Sequence, residues 1–349
     1  MRILSFETSC DETSCAVLEK KNQEIVVLSN VTASSLSLHA KTGGIIPENA
    51  AREQIKTIIP VMEEALLRSE NIEAKNGEQT LIANKILKEK IDAIAVTHGP
   101  GLIGSLLVGV ETAKTLSFVF NKPIVPVNHL LAHIFANFIS SNSRRSEINF
   151  PFVGLIVSGG HTDLLFFESI EKYKWLGGTR DDAAGEALDK IGRLLDLPYP
   201  AGPEIEQRAT KVKKPSIVFK SPLINSQDLD FSFSGLKTEV LRFVQNKVLD
   251  EQTKNEVCYA VQKAIIDVLV KKTVRAAKMF EVNQILLGGG VSANQTLLEN
   301  FKEKTDLEVF SPEKPYTTDN AGMIGAYALM NFKTVNWKII DANPDLYFV

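Results

Sequence analysis

The chain has 349 residues, 44% of them hydrophobic, with 39 basic and 42 acidic side chains. This length is typical of two domains, and the hydrophobic content excludes extended disorder. The near balance of charge excludes a protein-wide attraction to nucleic acid or membrane, so any such contact has to be local.

The cysteines and the apolar segments indicate a cytoplasmic protein without a membrane span. Cys10, Cys15 and Cys258 give no disulfide framework and fit a reducing compartment. The apolar run at the N-terminus is too short for a signal peptide and meets acidic residues at once. The most apolar stretch, residues 101–120, carries Glu111 and Lys114, and each of these is costly in a bilayer.

The first half of the chain predicts alternating strands and helices. Residues 2–33 alternate apolar runs with polar turns, as three successive strands would. A helical pattern follows at 54–70, and residues 91–120 predict a strand, a Gly/Pro turn and a long helix. A short strand at 123–128 then leads into a helix that carries two histidines. The polar stretch around residues 70–80 predicts no element.

The second half repeats this order after a polar break at 140–149. Residues 152–169 again predict strand, glycine-bearing turn and strand, and residues 284–301 predict a strand, a glycine turn and a helix. The repeat predicts a duplicated α/β architecture with two lobes, residues 1–139 and 150–349, whose turns face a shared cleft. We expect a final helix, at about 319–333, to pack back toward the first lobe.

Three glycine-bearing loops follow predicted strands: THGPGLIGS at 97–105, VSGGHT at 157–162 and GGGVSAN at 288–294. Glycine lets backbone N–H groups approach an anion, and a following helix N-terminus adds a favourable dipole. None of the loops matches a P-loop or a dinucleotide fingerprint, and each alone is also compatible with a tight turn. Their recurrence at three strand ends indicates phosphate or nucleotide binding.

Acidic side chains near these loops each have two interpretations. Residues 180–195 predict a helix with an acidic start, so capping explains Asp181 and Asp182. Asp189 either binds a ligand or pairs with Arg193 one turn on. Glu206, in a turn that enters the next helix, either accepts ribose hydroxyl groups or is an ordinary first-turn acid.

His129 and His133 lie four residues apart in a stretch that is otherwise almost wholly apolar. In a helix both imidazoles share one face, within reach of one metal ion. Asp319, in a polar turn before the last helix, is either a third ligand or that helix's N-cap. Two histidines and one carboxylate suit ferrous iron or zinc. A zincin protease is excluded, because Leu130 stands where its motif has the glutamate base.

The first hairpin turn, ETSCDET, places Glu7, Asp11 and Glu12 near its mouth. Acids in turns usually face water, but beside a metal and an anion they would orient an amine or accept its proton. Asp11 and Glu12 are the candidate catalytic residues.

Nine segments, taken in chain order, closely resemble the TsaD family of tRNA adenosine threonylcarbamoyltransferases. The likeness runs from residue 1 to about residue 333. The segments are ETSCDETSCAV, GGIIPENAARE, GPGLIGSLLVG, PVNHLLAHI, FVGLIVSGGHTDL, DDAAGEALDK, DFSFSGLKT, GGGVSAN and TTDNAGMIGAYA.

The resemblance implies a duplicated actin-like (ASKHA, ribonuclease-H-like) two-lobed fold with a central cleft. In the family, two histidines and the aspartate of a T-D-N segment hold a metal, usually iron. Here these are His129, His133 and Asp319, with Zn²⁺ or Mg²⁺ as alternatives to Fe²⁺. Further positions match the family's nucleotide-substrate residues: Ile156, Val157, Ser158, Gly159, Gly160, Asp189, Gly202 and Asn294, with Glu206 as an added contact.

The implied activity moves the threonylcarbamoyl group of threonylcarbamoyl-AMP to the exocyclic amine of the adenosine 3′ of the anticodon, in tRNAs that read ANN codons. The implied partners are tRNA, a TsaB-like paralogue that contacts a helix around residues 50–68, and a TsaE-like ATPase. Basic clusters for RNA are few: SRR at 143–145 and KVKK at 211–214. The rival hypotheses are a metal-dependent carbamoyltransferase or kinase acting on a small molecule, and a non-catalytic scaffold of a tRNA-modification complex.

The chain departs from the family pattern at a few positions. The family often has histidine where this chain has Gln54 and Asn128, and glycine where it has Ala201. Residues 70–90 also look longer than is usual in the family, and the sequence assigns them no function.

Overall fold

Within the described residues, ten strands and ten α-helices follow one another. The computed structural model describes residues 1–22, 24–35, 46–75, 77–139, 148–245 and 247–348. The strands are β1 (Arg2–Glu7), β2 (Glu12–Lys21), β3 (Glu24–Ser34), β4 (Ala93–Gly99), β5 (Ile124–Asn128), β6 (Phe152–Val157), β7 (Thr162–Phe167), β8 (Tyr173–Gly178), β9 (Gln284–Gly288) and β10 (Glu308–Phe310). The helices are α1 (Pro47–Ser69), α2 (Gln79–Lys90), α3 (Ile103–Phe120), α4 (His129–Phe135), α5 (Ala184–Leu194), α6 (Ala201–Ala209), α7 (Ser234–Val244), α8 (Glu251–Met279), α9 (Gln295–Lys304) and α10 (Ala321–Met330).

Two five-stranded sheets have the same topology. The first runs β3-β2-β1-β4-β5, with β1, β2 and β3 antiparallel and β1, β4 and β5 parallel. The second runs β8-β7-β6-β9-β10 with the same pattern of directions. The predicted duplication of a hairpin followed by parallel α/β units is therefore confirmed.

In the first sheet, the parallel strands carry the core. Side chains of β1 and β4 are buried on both faces, because helices cover the sheet. Glu7, Gly99 and Asn128 end the three parallel strands, so their side of the sheet gathers the loops that follow.

The chain divides into two units, Met1–Ile148 with Thr318–Val349, and Asn149–Thr317. The predicted second lobe extended to residue 349, whereas the structure groups its last 32 residues with the first unit. Hydrogen bonds explain this grouping, since Ser5 Oγ donates to Ala321 O (2.7 Å) and Ala321 N donates to Ser14 Oγ (2.9 Å). Helix α10 thus packs on β1 and β2. The shared cleft stays a prediction.

The polar segment after α1 contains a helix that the sequence did not predict. Helix α2 buries Ala83, Ile86 and Leu87, and it packs against α1. Two of these side chains are adjacent and the third lies three residues earlier, which is one narrow apolar stripe in a polar sequence. Residues 70–90 therefore enlarge the core of the first unit.

Within the described ranges, one helix, α3, is long and apolar enough to cross a membrane. Its buried residues include Leu106, Val110 and Ala113, and it packs against β4 and α1. Glu111 is exposed and forms an ion pair with Lys114 (2.7 Å). Helix α3 is therefore a core helix of the first unit, as the sequence predicted.

Candidate metal centre and nucleotide loops

The two histidines stand on the short buried helix α4, directly after β5. Asn128 is its N-cap, since its Oδ1 accepts hydrogen bonds from the N–H groups of Leu130 (2.9 Å) and Leu131 (3.2 Å). This cap fixes the first helical turn, so that His129 and His133 project from one face with ring centroids 4.7 Å apart.

Asp319 completes the group from the loop before α10. Its Oδ1 lies 3.2 Å from Nε2 of His133 and 3.6 Å from Nε2 of His129. The possible ligand atoms of the three residues all lie within 4.8 Å of one another. The alternative role of Asp319 as N-cap is wrong, because Asn320 takes that position and accepts the N–H of Met323 (3.1 Å).

These three residues fit a divalent metal. Bonds of about 2.0–2.2 Å place neighbouring ligand atoms roughly 3–3.5 Å apart, close to the observed separations. His133 is fully buried, and neither of its ring nitrogens makes a hydrogen bond of good geometry among the described residues, although Nε2 lies 3.2 Å from the Asp319 carboxylate. Such a group is costly unless something else satisfies it. A metal ion bound at Nε2 would do so.

Glu7 supports His129 from behind. Its carboxylate is buried, accepts hydrogen bonds from Thr97 Oγ1 (2.6 Å) and the N–H of Ser9 (2.6 Å), and faces Nδ1 of His129 at 3.0 Å. A carboxylate only accepts hydrogen bonds, so Nδ1 of His129 carries a hydrogen. The other ring nitrogen, Nε2, then faces Asp319. From the sequence alone, Glu7 was expected to be an acid at the mouth of the first hairpin turn. The signal that this expectation missed is the position of Glu7, which is the last residue of a buried parallel strand.

The charges at this group favour a cation. Burial alone disfavours a charged imidazole, but the carboxylates of Glu7 and Asp319 outweigh it and raise the pKa of His129 to about 9. Burial also raises the pKa of Glu7, but the nearby His129 outweighs this and lowers it. The metal-free site thus holds a proton on His129 at neutral pH, and a metal ion would replace that proton.

Asp11 lies in the turn between β1 and β2, and Glu12 is the first residue of β2. Burial, a hydrogen bond that the protonated Glu12 carboxyl group donates to the Asp11 carboxylate, and the charge of Asp11 raise the pKa of Glu12 to about 9. Glu12 is therefore protonated at neutral pH. Gln54 fixes the turn, since its Nε2 donates to the carbonyl oxygens of Cys10 (3.1 Å) and Glu12 (2.8 Å). Burial raises the pKa of Cys10 well above its ordinary value, so its thiol is not a nucleophile.

In the second unit, the loop after β6 is held by its own backbone. Ser158 N donates to His161 O (2.9 Å), and Ser158 O accepts the N–H of Gly185 at the start of α5 (3.1 Å). Gly159 and Gly160 are exposed, and a Cβ on either one would meet nothing within 4 Å. The loop therefore presents unobstructed backbone beside a helix N-terminus. Ile156 and Val157, at the end of β6, are buried.

Asp189 and Gly202 are brought together by a helix cap. Oδ1 of Asp189 accepts the N–H of Ala201 (2.7 Å) at the start of α6, and the carboxylate also accepts the N–H of Gly202. Burial is the largest influence on Asp189 and raises its pKa. The predicted residue pair therefore meets in the fold, and its hydrogen bonds are those of a cap.

Glu206 and Asn294 meet at the start of α9. Oε1 of Glu206 accepts the N–H of Gln295 (2.7 Å), and Asn294 is the N-cap of α9 through Leu297 N (3.0 Å). Asn294 also donates to Gln262 (2.9 Å). Helix α5 contacts the turn Gly290–Ala293, so all the predicted nucleotide residues surround one end of the second sheet.

The acids at the predicted start of α5 have other partners than expected. Oδ1 of Asp181 accepts the N–H groups of Phe233 (2.7 Å) and Ser234 (3.1 Å), and so caps α7 rather than its own helix. Asp182 forms an ion pair with Lys190 (2.5 Å). Sequence spacing could not reveal the Asp181 contact, because its partners lie more than fifty residues away.

Two units that each have the strand order and directions of a ribonuclease-H-like sheet define an actin-like protein. HypF from T. kodakarensis superposes with a TM-score of 0.61 at 14% identity, over 95% of this chain and 48% of that protein, which shows the fold alone. A family profile described as "TsaD: tRNA N6-adenosine threonylcarbamoyltransferase" matches residues 26–326.

Curated relatives agree over nearly the whole chain. A Kosmotoga olearia protein named tRNA N6-adenosine threonylcarbamoyltransferase is 43% identical over 99% of this chain and 98% of its own. A relative of the same name from Sulfurihydrogenibium sp. is 45% identical over 95% and 91%. The chain belongs to the TsaD family.

Proposed function

We propose that this protein is a tRNA N6-adenosine threonylcarbamoyltransferase that acts on the adenosine 3′ of the anticodon in tRNAs reading ANN codons. The observation that carries the proposal is the His129, His133 and Asp319 group, whose possible ligand atoms lie within 4.8 Å of one another, in a chain of this family. A non-catalytic scaffold would have no need of such a group.

The reaction joins the adenine amine to the threonylcarbamoyl carbon. The exocyclic nitrogen attacks the carbonyl carbon of threonylcarbamoyl-AMP, a C–N bond forms, and the C–O bond to phosphate breaks. AMP leaves with the bonding electron pair, and the amine loses one proton. This amine is a weak nucleophile, so positioning has to supply much of the rate.

His129, His133 and Asp319 would hold the metal, which we propose to be Fe²⁺. Two imidazoles and one carboxylate with open positions suit Fe²⁺ best and Zn²⁺ next, whereas Mg²⁺ prefers all-oxygen sites. A bound metal supplies Lewis-acid stabilisation of charge on phosphate or carbonyl oxygens. Glu7 keeps the Nε2 atom of His129 directed toward that metal.

The nucleotide part of the substrate would lie against the loops of the second unit. Backbone N–H groups around Ser158, Gly159 and Gly160 are suited to phosphate, because no side chain covers the two glycines. Glu206 and Asn294 offer polar oxygens for ribose hydroxyl groups at the start of α9. Ile156 and Val157 would support this loop from the buried strand, and Asp189 would fix the position of Gly202.

Asp11 and Glu12 divide the proton chemistry in our proposal. Glu12 holds its proton at neutral pH, so it would donate a hydrogen bond rather than act as a base. Asp11 would then accept a hydrogen bond from the adenine amine and orient it. A pair of neighbouring carboxyl groups that shares one proton is well suited to this division.

A TsaB-like paralogue would dock on α1 and α3. Ile55 and Ile59 of α1 are 64% and 44% exposed, and Ile103 and Leu107 of α3 are 50% and 39% exposed. Helices α1 and α3 pack against each other, so these four side chains offer an apolar surface of the first unit. A TsaE-like ATPase and a cytoplasmic location complete the proposal.

The experiment measures threonylcarbamoyladenosine in host tRNA by mass spectrometry of digested nucleosides. The protein is depleted, and either wild type or His133→Ala is restored. We expect the modified nucleoside to be lost on depletion and to return only with wild type. Unchanged nucleoside levels, with no second copy of the enzyme present, would overturn the tRNA function. Turnover of threonylcarbamoyl-AMP onto a small acceptor without tRNA would instead support the rival transferase.

A further inference from the structure

The second unit contains a groove with a strongly basic rim. It encloses about 610 Å³ between α8, α9 and the segment around Ile224. Five basic side chains and one acidic side chain line it, together with apolar and amide groups. The basic residues are Lys263, Lys271, Arg275, Lys278 and Lys304. We call this the α8/α9 groove.

Most of the positive charge in the groove is uncompensated. Lys263 pairs with Asp267 (2.9 Å), but Lys271 donates only to the neutral amide oxygen of Asn225 (3.0 Å). In the described part of the chain, the side-chain ammonium groups of Lys278 and Lys304 have no ion pair or hydrogen bond. The whole chain has a net charge of -3, so the positive charge of the groove contrasts with the overall charge of the protein.

The basic side chains follow one face of α8. Lys263, Lys271 and Lys278 are eight and seven residues apart and span about 22 Å along the helix axis. The helix dipole explains a lysine in the last turn of α8 and of α9, but not Lys263 and Lys271 in the middle of α8. This set has no local sequence signal, because no two of its members are adjacent.

We propose that the α8/α9 groove binds the sugar–phosphate backbone of the tRNA substrate, away from the adenosine that is modified. This inference rests on the proposed function. Cations spread along about 22 Å match a chain of phosphates better than one small anion. The apolar floor formed by Val270 and Val274 suits the sugar faces between phosphates.

The position of the groove in the second unit agrees with a contact outside the anticodon. Helix α9 begins next to Asn294, among the proposed nucleotide residues, and ends at Lys304 in the groove. Its ten residues separate the two places by about 15 Å. Phosphate contacts carry no sequence information, so the groove would serve every tRNA that the enzyme modifies.

Of the basic clusters noted in the sequence, residues 143–145 lie outside the described residues, and residues 211–214 follow α6.

The test uses the full-length protein with its partner proteins and the double variant Lys278→Glu/Lys304→Glu. Binding of a fluorescently labelled tRNA transcript is measured by anisotropy between roughly 50 and 200 mM salt. In this range, phosphate contacts dominate the dependence of affinity on salt. We expect the Kd to rise at least about tenfold and the salt slope to fall by about 2. The KM for tRNA should rise while kcat stays constant, and a minimal anticodon stem-loop should bind as before.

Lys302→Glu is the matched control, because Lys302 is exposed on α9 and does not line the groove. We expect it to change the Kd less than about twofold, since a charge away from the contact is screened. The variant Lys278→Gln/Lys304→Gln gives a smaller loss in the same direction and covers the case in which charge reversal impairs folding.

Each outcome has a separate meaning. If wild type transfers the threonylcarbamoyl group to tRNA and the double variant keeps the wild-type Kd and salt slope, the groove proposal is wrong and the proposed function stands. If the double variant loses a protein partner but keeps its tRNA affinity, the groove is a protein-docking surface and the proposal is wrong. If wild type fails to modify any tRNA, the proposed function itself fails.

Discussion

Glu7 Oε2 lies 3.0 Å from Nδ1 of His129, and both side chains are buried within the first unit. The two residues are 122 positions apart: Glu7 ends β1, and His129 directly follows β5. Strand β4, between these two strands in the sheet, contributes the Thr97 hydroxyl that donates to the same carboxylate (2.6 Å). Three parallel strand ends therefore fix one imidazole. The other ring nitrogen of His129 is thereby set toward Asp319.

Replacing Glu7 with glutamine should weaken metal binding about 10–100-fold, the usual effect of losing a carboxylate behind a ligating histidine. The amide keeps the size of the side chain, but its NH₂ group cannot accept a hydrogen bond. One of the three donors that face the carboxylate, from Ser9, Thr97 and His129, therefore loses its acceptor. Metal affinity is measured by competition with a chromophoric chelator, so the result does not depend on catalysis.

Glu24→Gln, at an exposed position of β3, is the control for the loss of one carboxylate. Equal metal affinity for Glu7→Gln and Glu24→Gln, with both proteins folded by circular dichroism, would contradict the role of Glu7.

Much of the fold could be predicted because its signals are local. The repeated strand–turn–strand pattern around ETSCDET and VSGGHT predicted two sheets that share one topology. Helix α2 was harder to predict, since Ala83, Ile86 and Leu87 form only a narrow apolar stripe. The sequence alone also could not show that α10 packs on β1, although a final helix returning to the first lobe was expected.

In the candidate site, too, some features follow from the local sequence and others depend on the fold. His129 and His133 are one helical turn apart, so their proximity follows from local structure. The sequence left Asp319 as either a third ligand or a helix cap, and the family resemblance favoured the ligand. The structure places its Oδ1 3.2 Å from Nε2 of His133. The support by Glu7 depends on the order of parallel strands, which a single sequence does not specify. The α8/α9 groove depends on side chains from two helices and a loop.

The pKa of Glu12 gives a prediction for stability against pH in the metal-free protein. Burial and the Asp11 carboxyl group raise it from 4.5 to about 9, so between these values the folded chain binds one more proton than the unfolded chain. The free energy of unfolding contributed by Glu12 therefore falls as pH rises through this window. Glu12→Gln removes the titration. With chelator present, the Tm of Glu12→Gln should rise relative to the Tm of wild type as the pH increases from 5 to 9. If the two Tm curves run parallel over this range, the raised pKa of Glu12 is excluded.

Alanine substitutions at two glycines of the second unit should distinguish an effect on nucleotide binding from an effect on stability. A methyl group at Gly160 meets nothing within 4 Å, so Gly160→Ala should keep its Tm while weakening binding of an adenylate analogue. A methyl group at Gly289 lies 2.4 Å from Val157 O, and the φ of +93° is strained for alanine. Gly289→Ala should therefore lose about 1–3 kcal/mol of stability. Calorimetry and ligand titration of both variants check this contrast. Wild-type ligand affinity in Gly160→Ala would count against the loop as a phosphate site.

Asp189 has a structural role as a cap at the start of α6, and this role can be tested separately from its proposed contact with the nucleotide. Its carboxylate accepts the N–H groups of Ala201 and Gly202, and an asparagine side chain offers a carbonyl oxygen in the same place. Asp189→Asn should therefore keep most of the stability, whereas Asp189→Ala should lose about 1 kcal/mol as other lost caps do. Urea unfolding measures the difference. If Asp189 only positions Gly202, Asp189→Asn will bind an adenylate analogue as wild type does. A large loss of affinity in Asp189→Asn at wild-type stability would show that the charged carboxylate contacts the nucleotide directly.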